Sequence, residues 1–205
     1  MKELWNIKYA VDEYIYGEEP NKYFKYAVDK YIPSGKILLP AEGEGRNAVY
    51  AAQKDIEAVA FDQSAEGKRK AEKLAKKAGV KIDYQVGELP NLPLTEEKFD
   101  AAALIYAHFS PQLRAEYHRL IGNLIKPEGY IIVEGFSKQH IEYQRTNPTI
   151  GGPRNIEMLY TEEMIKNDFF DFEPVELIET EVELAEGTGH NGIGKVIRFI
   201  GKKKA

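Results

Sequence analysis

A glycine-containing loop and a carboxylate 19 residues beyond its first glycine are the residues of this chain best suited to ligand chemistry. The apolar run Ile37–Leu39 opens into Ala41-Glu42-Gly43-Glu44-Gly45, and a second apolar run, Ala58–Phe61, ends in Asp62. Glycines let the backbone approach a ligand closely, and a carboxylate at the end of the next strand accepts hydrogen bonds from ribose hydroxyls. The pattern predicts a nucleoside site at the edge of an α/β sheet.

Alternating strands and helices must position these groups. The predicted strands are Ile37–Ala41, Ala58–Phe61, Ile82–Val86, Ala101–Tyr106 and Tyr130–Glu134, and the predicted helices are Arg46–Lys54, Ala65–Ala78 and Pro111–Ile125. Ser64 and Ser110 are suited to be N-caps. Strands that alternate with helices predict right-handed crossovers and a mostly parallel sheet covered on both faces.

The two ends of the chain depart from this alternation. Near the C-terminus, after a capped helix that starts near Thr161, Val175–Ala185 and Val196–Ile200 flank the turn-rich segment 186–192, which predicts a closing antiparallel hairpin. The first 31 residues are rich in aromatic side chains, and Pro20 is suited to the first turn of a helix. We interpret these aromatic residues as packing groups of a helical layer over residues 1–33.

Composition limits the class of protein. The chain has 205 residues, a net charge of −5 and no cysteine, so disulfides and cysteine-based zinc sites are excluded. No global basic field would attract nucleic acid. The sequence shows neither the apolar core of a signal peptide nor a membrane-length apolar run, so we expect a cytoplasmic protein that does not bind membranes. The oligomeric state stays open.

The glycine loop resembles the first motif of class I S-adenosylmethionine-dependent methyltransferases, which usually reads Leu-Asp-x-Gly-x-Gly-x-Gly-x-Asn. Here Leu39 stands in place of the acid and Ala41 replaces the first glycine, whereas Gly43, Gly45 and Asn47 match. Together with segments 14–21 and 151–153, the loop resembles a bacterial small-molecule branch related to tellurite-resistance and, more distantly, thiopurine-type methyltransferases.

The resemblance extends over essentially the whole chain. It implies one methyltransferase domain, residues 1–205, with an N-terminal helical cover (1–33) and a Rossmann-like core (34–205). The expected fold is an α/β three-layer sandwich with a mostly parallel seven-stranded sheet and a C-terminal antiparallel hairpin.

The resemblance also implies the cofactor S-adenosyl-L-methionine, with S-adenosyl-L-homocysteine as product, and a set of contacts. Glu42 and the two loop glycines would line the methionine half, Asp62 would bind the ribose, and segment 87–89 would contact adenine. Tyr106 would lie under the sulfonium, and Tyr16 would close over the cofactor. The full implied set is Tyr16, Gly17, Ala41, Glu42, Gly43, Gly45, Asn47, Asp62, Gln63, Gly87, Glu88, Leu89 and Tyr106.

The acceptor side is less defined. A sulfonium methyl is already activated, so alignment and exclusion of water supply most of the catalysis, and no catalytic triad is expected. The candidate catalytic residues are Tyr106, His108, Tyr143 and Arg154. For His108 a catalytic and a structural role stay open. For segment 134–154, which carries Tyr143 and Arg154, an acceptor lid and an ordinary loop stay open.

Other polar groups have simpler interpretations. His118 is predicted at the surface, and the lysine-rich face of helix 65–78 is predicted to be solvated. His140 begins a segment after the fifth strand, where acceptor loops often lie. His190 lies in the hairpin turn. Two interpretations stay open: it is an ordinary turn residue, or its side chain extends over the pocket. No cluster has metal-ligand spacing.

The expected function is methyl transfer to a small-molecule acceptor by in-line displacement. A nicotinamide-dependent oxidoreductase is the alternative enzyme, disfavoured by the absent third glycine of Gly-x-Gly-x-x-Gly and by the hairpin. A non-catalytic S-adenosylmethionine-binding protein is the other alternative, because Leu39 and Ala41 depart from the motif. The fourth strand ends in Tyr106-Ala107-His108 and lacks the signature of enzymes that act on flipped bases, so nucleic acid is not expected as a substrate.

Overall fold

The computed structural model describes residues 2–94 and 97–205. Over these residues the chain forms seven strands and seven α-helices. The strands are β1 (Lys36–Pro40), β2 (Glu57–Asp62), β3 (Asp83–Val86), β4 (Phe99–Ile105), β5 (Ile125–Phe136), β6 (Phe172–Glu186) and β7 (His190–Lys203). The helices are α1 (Lys2–Tyr9), α2 (Lys22–Tyr31), α3 (Arg46–Gln53), α4 (Ala65–Ala78), α5 (Pro111–Leu124), α6 (His140–Thr146) and α7 (Glu162–Asp168).

All seven strands join one sheet in the order β3-β2-β1-β4-β5-β7-β6. Strands β1 to β5 are parallel to one another, and β7 runs antiparallel to both β5 and β6. This arrangement confirms the predicted fold class. The chain reverses direction in the sheet order between β1 and β4, so the carboxyl ends of these two strands flank the crevice where such sheets bind ligands.

Helices cover the two faces of the sheet and divide the core into two main clusters. On one face Phe24 of α2 and Ala48 of α3 pack against Ile37 and Ala60. On the other face the cluster includes Ile121 of α5 and Ile165 of α7, together with residues of β4 and β5. The parallel strands are buried on both faces, which explains their nearly continuous apolar sequences.

The ends of the helices follow local sequence signals with two differences. The Ser64 hydroxyl accepts the Gly67 N–H at 3.0 Å, which confirms the predicted cap of α4. Ser110 precedes α5 but makes no side-chain capping bond. Helix α2 begins after Asn21, whose side chain accepts the Phe24 N–H, so Pro20 lies before the cap and the prediction of Pro20 in the first turn is wrong. An asparagine side chain can satisfy a free N–H of the first turn, and proline cannot.

The C-terminal hairpin is longer than the sequence suggested. Strands β6 and β7 pair from Phe172 with Lys203 to Glu186 with His190, so only residues 187–189 form the turn. The Thr161 side chain caps α7 by accepting the Met164 N–H. Among the described residues, no helix combines the length and the apolar character that a membrane span requires.

Candidate functional site

The loop after β1 has an unusual backbone. Ala41, Gly43 and Gly45 have φ values of 53°, 63° and 86°, in the left-handed region that glycine adopts readily and alanine does not. At Gly45 a Cβ atom would lie 2.4 Å from Cβ of Ala71 in α4, so a larger residue does not fit there. The loop therefore depends on glycine at position 45 and carries backbone strain at Ala41, where the family motif has glycine.

Glu42 lies at the N-terminus of α3. Its carboxylate accepts the backbone N–H groups of Asn47 and Ala48, both at 2.8 Å. These donors, at the positive end of the helix dipole, favour the ionised form. Burial opposes them and is the stronger effect, so the pKa of Glu42 rises to about 7.

The Asp62 carboxylate lies beside the glycine loop. One oxygen accepts the Gly43 N–H at 3.1 Å and the other accepts the Ser64 N–H at 2.8 Å. Burial raises the pKa of Asp62, and these hydrogen bonds partly oppose the shift. A carboxylate has about four lone-pair sites, so each oxygen retains capacity to accept a further donor.

Tyr9 of α1 covers this part of the loop. Its hydroxyl oxygen lies 2.6 Å from the position that a Cβ on Gly43 would occupy, and its ring lies against Gly67 of α4. Tyr9 is 4% exposed, and the nearby Asp62 charge helps to raise its pKa after the larger effect of burial. In the sequence Tyr9 is one of many aromatic residues interpreted as packing groups, and no sequence pattern places it over the loop.

Tyr16, expected to close over the cofactor, lies between α1 and α2 and packs against His190 of β7. Its ring centroid is 4.5 Å from that of His190. Its backbone N–H donates to Glu44 and its carbonyl accepts from Arg46. The neighbouring Gly17 has a left-handed φ of 75°.

A buried ion pair ties the segment between α1 and α2 to the loop. Lys70 of α4 donates to Glu44 at 2.6 Å, and both side chains are 2% exposed. Lys70 also donates to the carbonyl of Glu13, and the hydroxyl of Tyr14 donates to the carbonyl of Lys70. The prediction that Lys70 belongs to a solvated basic face is wrong, because a carboxylate from the glycine loop draws it inward. We call residues 10–20 the strap.

The predicted adenine contacts lie at the end of β3. The Gly87 N–H donates to the carbonyl of Asp62 at 2.9 Å, which joins this segment to β2. The Gln63 side chain donates to Glu88 at 3.2 Å, and Leu89 is buried. The structure thus brings segment 87–89 next to Asp62.

Tyr106 follows β4 in the left-handed region, with φ of 54°. Its ring centroid lies 4.7 Å from Phe136 and 4.5 Å from His190. Its buried hydroxyl has no hydrogen-bond partner among the described residues. A strained backbone and an unpaired buried polar atom are features that cluster at functional sites.

His108 has both ring nitrogens engaged with the backbone. Nδ1 lies 2.8 Å from the carbonyl oxygen of Met158, and Nε2 accepts the Phe136 N–H at 3.0 Å. These contacts require a neutral imidazole that donates through Nδ1. Burial lowers its pKa to about 4, so it stays neutral at pH 7.

The two candidates in segment 134–154 lie on its outer side. The hydroxyl of Tyr143 donates to Glu181 of β6. Arg154 is exposed and donates to the carbonyl oxygens of Gln144 in α6 and Pro148 in the loop that follows α6. Tyr143 packs against the same small cluster as Tyr106, around Phe136, whereas Arg154 faces solvent.

A buried polar network that the sequence did not predict lies at the centre of the site. Glu186 accepts hydrogen bonds from Arg46, Asn21 and His190, all at 2.9 to 3.0 Å. Asn21 also donates to Glu134 at 2.7 Å, and its own N–H donates to Asn47. These partners come from distant parts of the chain, so sequence spacing alone could not identify them.

His118 is a further correction. It was predicted at the surface, but it is fully buried and lies 2.8 Å from a carboxylate oxygen of Asp168. Its ring stacks on Phe169 of the α7 end, at 4.9 Å between centroids. No group of three or more His, Asp or Glu side chains in the described ranges is arranged to hold a metal ion.

Comparisons with known proteins identify a methyltransferase domain and solved structures that share this fold. Residues 37–129 match the family model described as methyltransferase domain. No curated protein matches the chain.

Solved structures with the same fold include three informative examples. A protein solved in work on the conversion of a disulfide bond into a thioacetal group during echinomycin biosynthesis is 16% identical, with a TM-score of 0.81 over all of this chain and 92% of its own. TehB from Haemophilus influenzae is 16% identical, with a TM-score of 0.71 over 99% of this chain and 67% of its own. An S-adenosylmethionine-dependent methyltransferase from Methanosarcina mazei is 20% identical, with a TM-score of 0.67 over 91% of this chain and 99% of its own.

Proposed function

We propose that this chain is a class I S-adenosylmethionine-dependent methyltransferase that methylates a small-molecule acceptor at the edge of the sheet between β1 and β4. The family match favours methyl transfer over the hydride transfer of a nicotinamide enzyme. In this proposal residues 1–205 form one methyltransferase domain, and the protein belongs to the tellurite-resistance-like branch. A cytoplasmic location stays a prediction from the sequence.

One observation carries the proposal. Glu42 and Asp62 are carboxylates next to the glycine loop, and neither forms an ion pair with any of the described residues. Their hydrogen-bond donors are almost all backbone N–H groups, which carry no net charge. By contrast, Glu44 is paired with Lys70. The two unpaired carboxylates suit a ligand that brings both positive charge and hydroxyl donors.

S-adenosylmethionine has these features. Asp62 would accept from the ribose diol, Glu42 would face the amino group of the methionine half, and segment 87–89 would border adenine. When bound, this cofactor supplies an activated methyl group. The chain's own residues align the acceptor and exclude water, which is the larger part of catalysis in such a displacement. Because Tyr9 covers the Asp62 side of the loop, entry of a nucleoside requires α1 to move.

Titration calorimetry with S-adenosylhomocysteine tests the proposal. We expect the wild type to bind and Asp62→Asn to bind roughly 10- to 100-fold more weakly, because a hydrogen bond to a charged group contributes about 1.5–3 kcal/mol. Asp83→Asn, at the exposed start of β3, is the matched control and should bind like the wild type. A folded wild type that shows no binding would contradict the proposal.

Turnover separates an enzyme from a non-catalytic binding protein. The assay follows S-adenosylhomocysteine formation with a panel of thiol, selenite and tellurite acceptors. Transfer to any member supports an enzyme. Binding without transfer to every member favours the non-catalytic alternative.

A further inference from the structure

His190 begins β7 and lies in the aromatic part of the site. Its ring centroid is 4.5 Å from both Tyr16 and Tyr106 and 5.2 Å from Phe136. Its side chain is 5% exposed, and its Nδ1 lies 2.9 Å from a carboxylate oxygen of Glu186. His190 is therefore held beside Tyr106, the residue that follows β4, at the edge of the sheet where the acceptor is expected.

The other three histidines are engaged differently. Both nitrogens of His108 and both nitrogens of His140 contact backbone groups. His118 packs between α5 and α7 against Phe169. Like His118, His190 combines a carboxylate on Nδ1 with an Nε2 that has no hydrogen-bond partner among residues 2–94 and 97–205. Of these two, only His190 packs against Tyr16 and Tyr106. This nitrogen lies 3.1 Å from where a Cβ on Gly151 would be, so it faces the segment predicted to border the acceptor.

Glu186 fixes the form of this imidazole. Burial alone would raise the pKa of Glu186, but the donors His190 and Arg46 lower it to about 2, so it is ionised. An ionised carboxylate accepts only, so Nδ1 of His190 carries the proton and Nε2 of the neutral ring has a free lone pair. Burial lowers the pKa of His190 below its ordinary 6.5, and Glu186 partly offsets this.

Resting on the proposed function, we propose that His190 is the general base that accepts a proton from the methyl acceptor, with Glu186 as its positioning residue. The acceptor class is then one whose attacking atom carries a proton, such as a thiol. The acceptor X–H bond breaks and its proton goes to Nε2. The electron pair left on X forms the bond to the methyl carbon, and the pair of the carbon–sulfur bond stays on sulfur as S-adenosylhomocysteine forms. Glu186 stabilises the imidazolium until the proton leaves to solvent.

Several charged or titratable groups face His190 and would influence its titration. Glu186 in β6 favours the charged ring, whereas Arg46 of α3 and Lys8 of α1 disfavour it. The remaining titratable neighbours are Tyr16 of the strap, Tyr106 after β4, and the histidines His108 and His140. These two tyrosines and two histidines are neutral at pH 7 in this setting, so Glu186 and the two cations dominate.

Two thiols of different acidity test the role of His190. One is an alkyl thiol that is mostly protonated at pH 7, and the other is an aryl thiol that is mostly ionised. For His190→Gln, we expect transfer to the alkyl thiol to fall at least 100-fold and transfer to the aryl thiol to fall less than 5-fold, because a positioned base contributes roughly 10²–10⁴-fold only where a proton must move. S-adenosylhomocysteine affinity should stay within about 3-fold of the wild type. Asn191→Ala, an exposed neighbour in the hairpin, is the control.

Three further measurements do not depend on how His190→Gln folds. The wild-type rate of transfer to the alkyl thiol should decrease as the pH drops below 6.5. Glu186→Gln should shift the pH at which this decrease occurs. Imidazole should restore alkyl-thiol transfer to His190→Ala and leave the wild type unchanged. Nitrogen NMR of the wild type with S-adenosylhomocysteine should show a neutral His190, protonated at Nδ1 only, at pH 7.

The possible failures are distinct. A wild type that does not bind S-adenosylhomocysteine contradicts the proposed function itself. If it binds, equal loss with both thiols or loss of cofactor affinity in His190→Gln overturns the general base and leaves a structural residue. A His190 that is protonated at Nε2 in the NMR spectrum overturns it whether or not either thiol is a substrate.

Discussion

Removing the amine of Lys70 should destabilise the protein strongly. Lys70 and Glu44 are each 2% exposed and lie 2.6 Å apart, so neither charge is compensated by water. In Lys70→Met the Tyr16 N–H, at 3.3 Å, is the one donor that the described residues still offer to the buried Glu44 carboxylate. Breaking a buried pair in this way costs about 3–5 kcal/mol. For a domain of this size the loss corresponds to a fall of roughly 10 °C in Tm.

The partner substitution and the double mutant complete the test. Glu44→Gln should cost less than Lys70→Met, because the amide oxygen still accepts from Lys70 and the ammonium keeps the carbonyl of Glu13. The double mutant leaves no buried charge, so its cost should be at least about 2 kcal/mol below the sum of the single costs. Lys77→Met is the matched control on the same helix. Lys77 pairs with Glu18 of the strap, but it is 67% exposed, so its loss should cost at most about 1 kcal/mol.

Urea unfolding followed by two signals measures these effects. Far-UV circular dichroism reports the whole fold, and the fluorescence of Trp5, the only tryptophan in the sequence, reports α1. Because Lys70 holds the strap to the glycine loop, we expect the Trp5 transition of Lys70→Met to precede the circular dichroism transition. If Lys70→Met costs no more than Lys77→Met, the buried ion pair does not stabilise the cover and the reasoning is refuted.

Three other substitutions have definite expected outcomes. Ala41→Gly should raise the free energy of unfolding by about 0.5–1 kcal/mol, because a left-handed alanine is strained by about 1–2 kcal/mol and glycine recovers most of this; a less stable variant in urea unfolding would contradict it. Glu42 has its pKa raised from an ordinary 4.5 to about 7, so its contribution to stability is full below pH 4.5 and is lost as the pH rises through 7. Relative to the wild type, Glu42→Gln should therefore lose up to about 3 kcal/mol more unfolding free energy at pH 5 than at pH 7.5, as measured by urea unfolding. Asp168→Ala should cost about 3 kcal/mol, because it leaves buried His118 and partly buried Arg114 without their carboxylate; a change below 1 kcal/mol in thermal unfolding would contradict this.

The sequence predicted what depends on local patterns. The strands of the parallel sheet are buried on both faces, so each appears as a short apolar run, and β1, β2 and β4 lie within a few residues of their predicted bounds. The position of Asp62 next to Gly43 follows from the pairing of β1 with β2, because adjacent parallel strands end at the same edge. Local pattern therefore sufficed for the frame of the site.

The rest depends on partners distant in the chain. Lys70 lies on the polar side of an amphipathic helix by periodicity, and partners distant in the chain, Glu44 and the carbonyl of Glu13, make it a buried residue. His118 is buried because Asp168 accepts from it across 50 residues. Such pairs are formed by tertiary packing, which overrides the helical pattern that predicts exposure.

The two parts of the N-terminal cover are held with different strength, and this difference bears on access to Asp62. Helix α1 has eight residues, too short to be stable alone, and Leu4 and Ile7 on it are 66% and 73% exposed. The strap, in contrast, is fixed by the buried pair of Lys70 with Glu44. Release of α1 therefore costs less free energy than release of the strap. Releasing α1 by itself is enough to uncover the Asp62 side of the glycine loop. A nucleoside could thus reach this carboxylate while the ion pair at Glu44 stays intact.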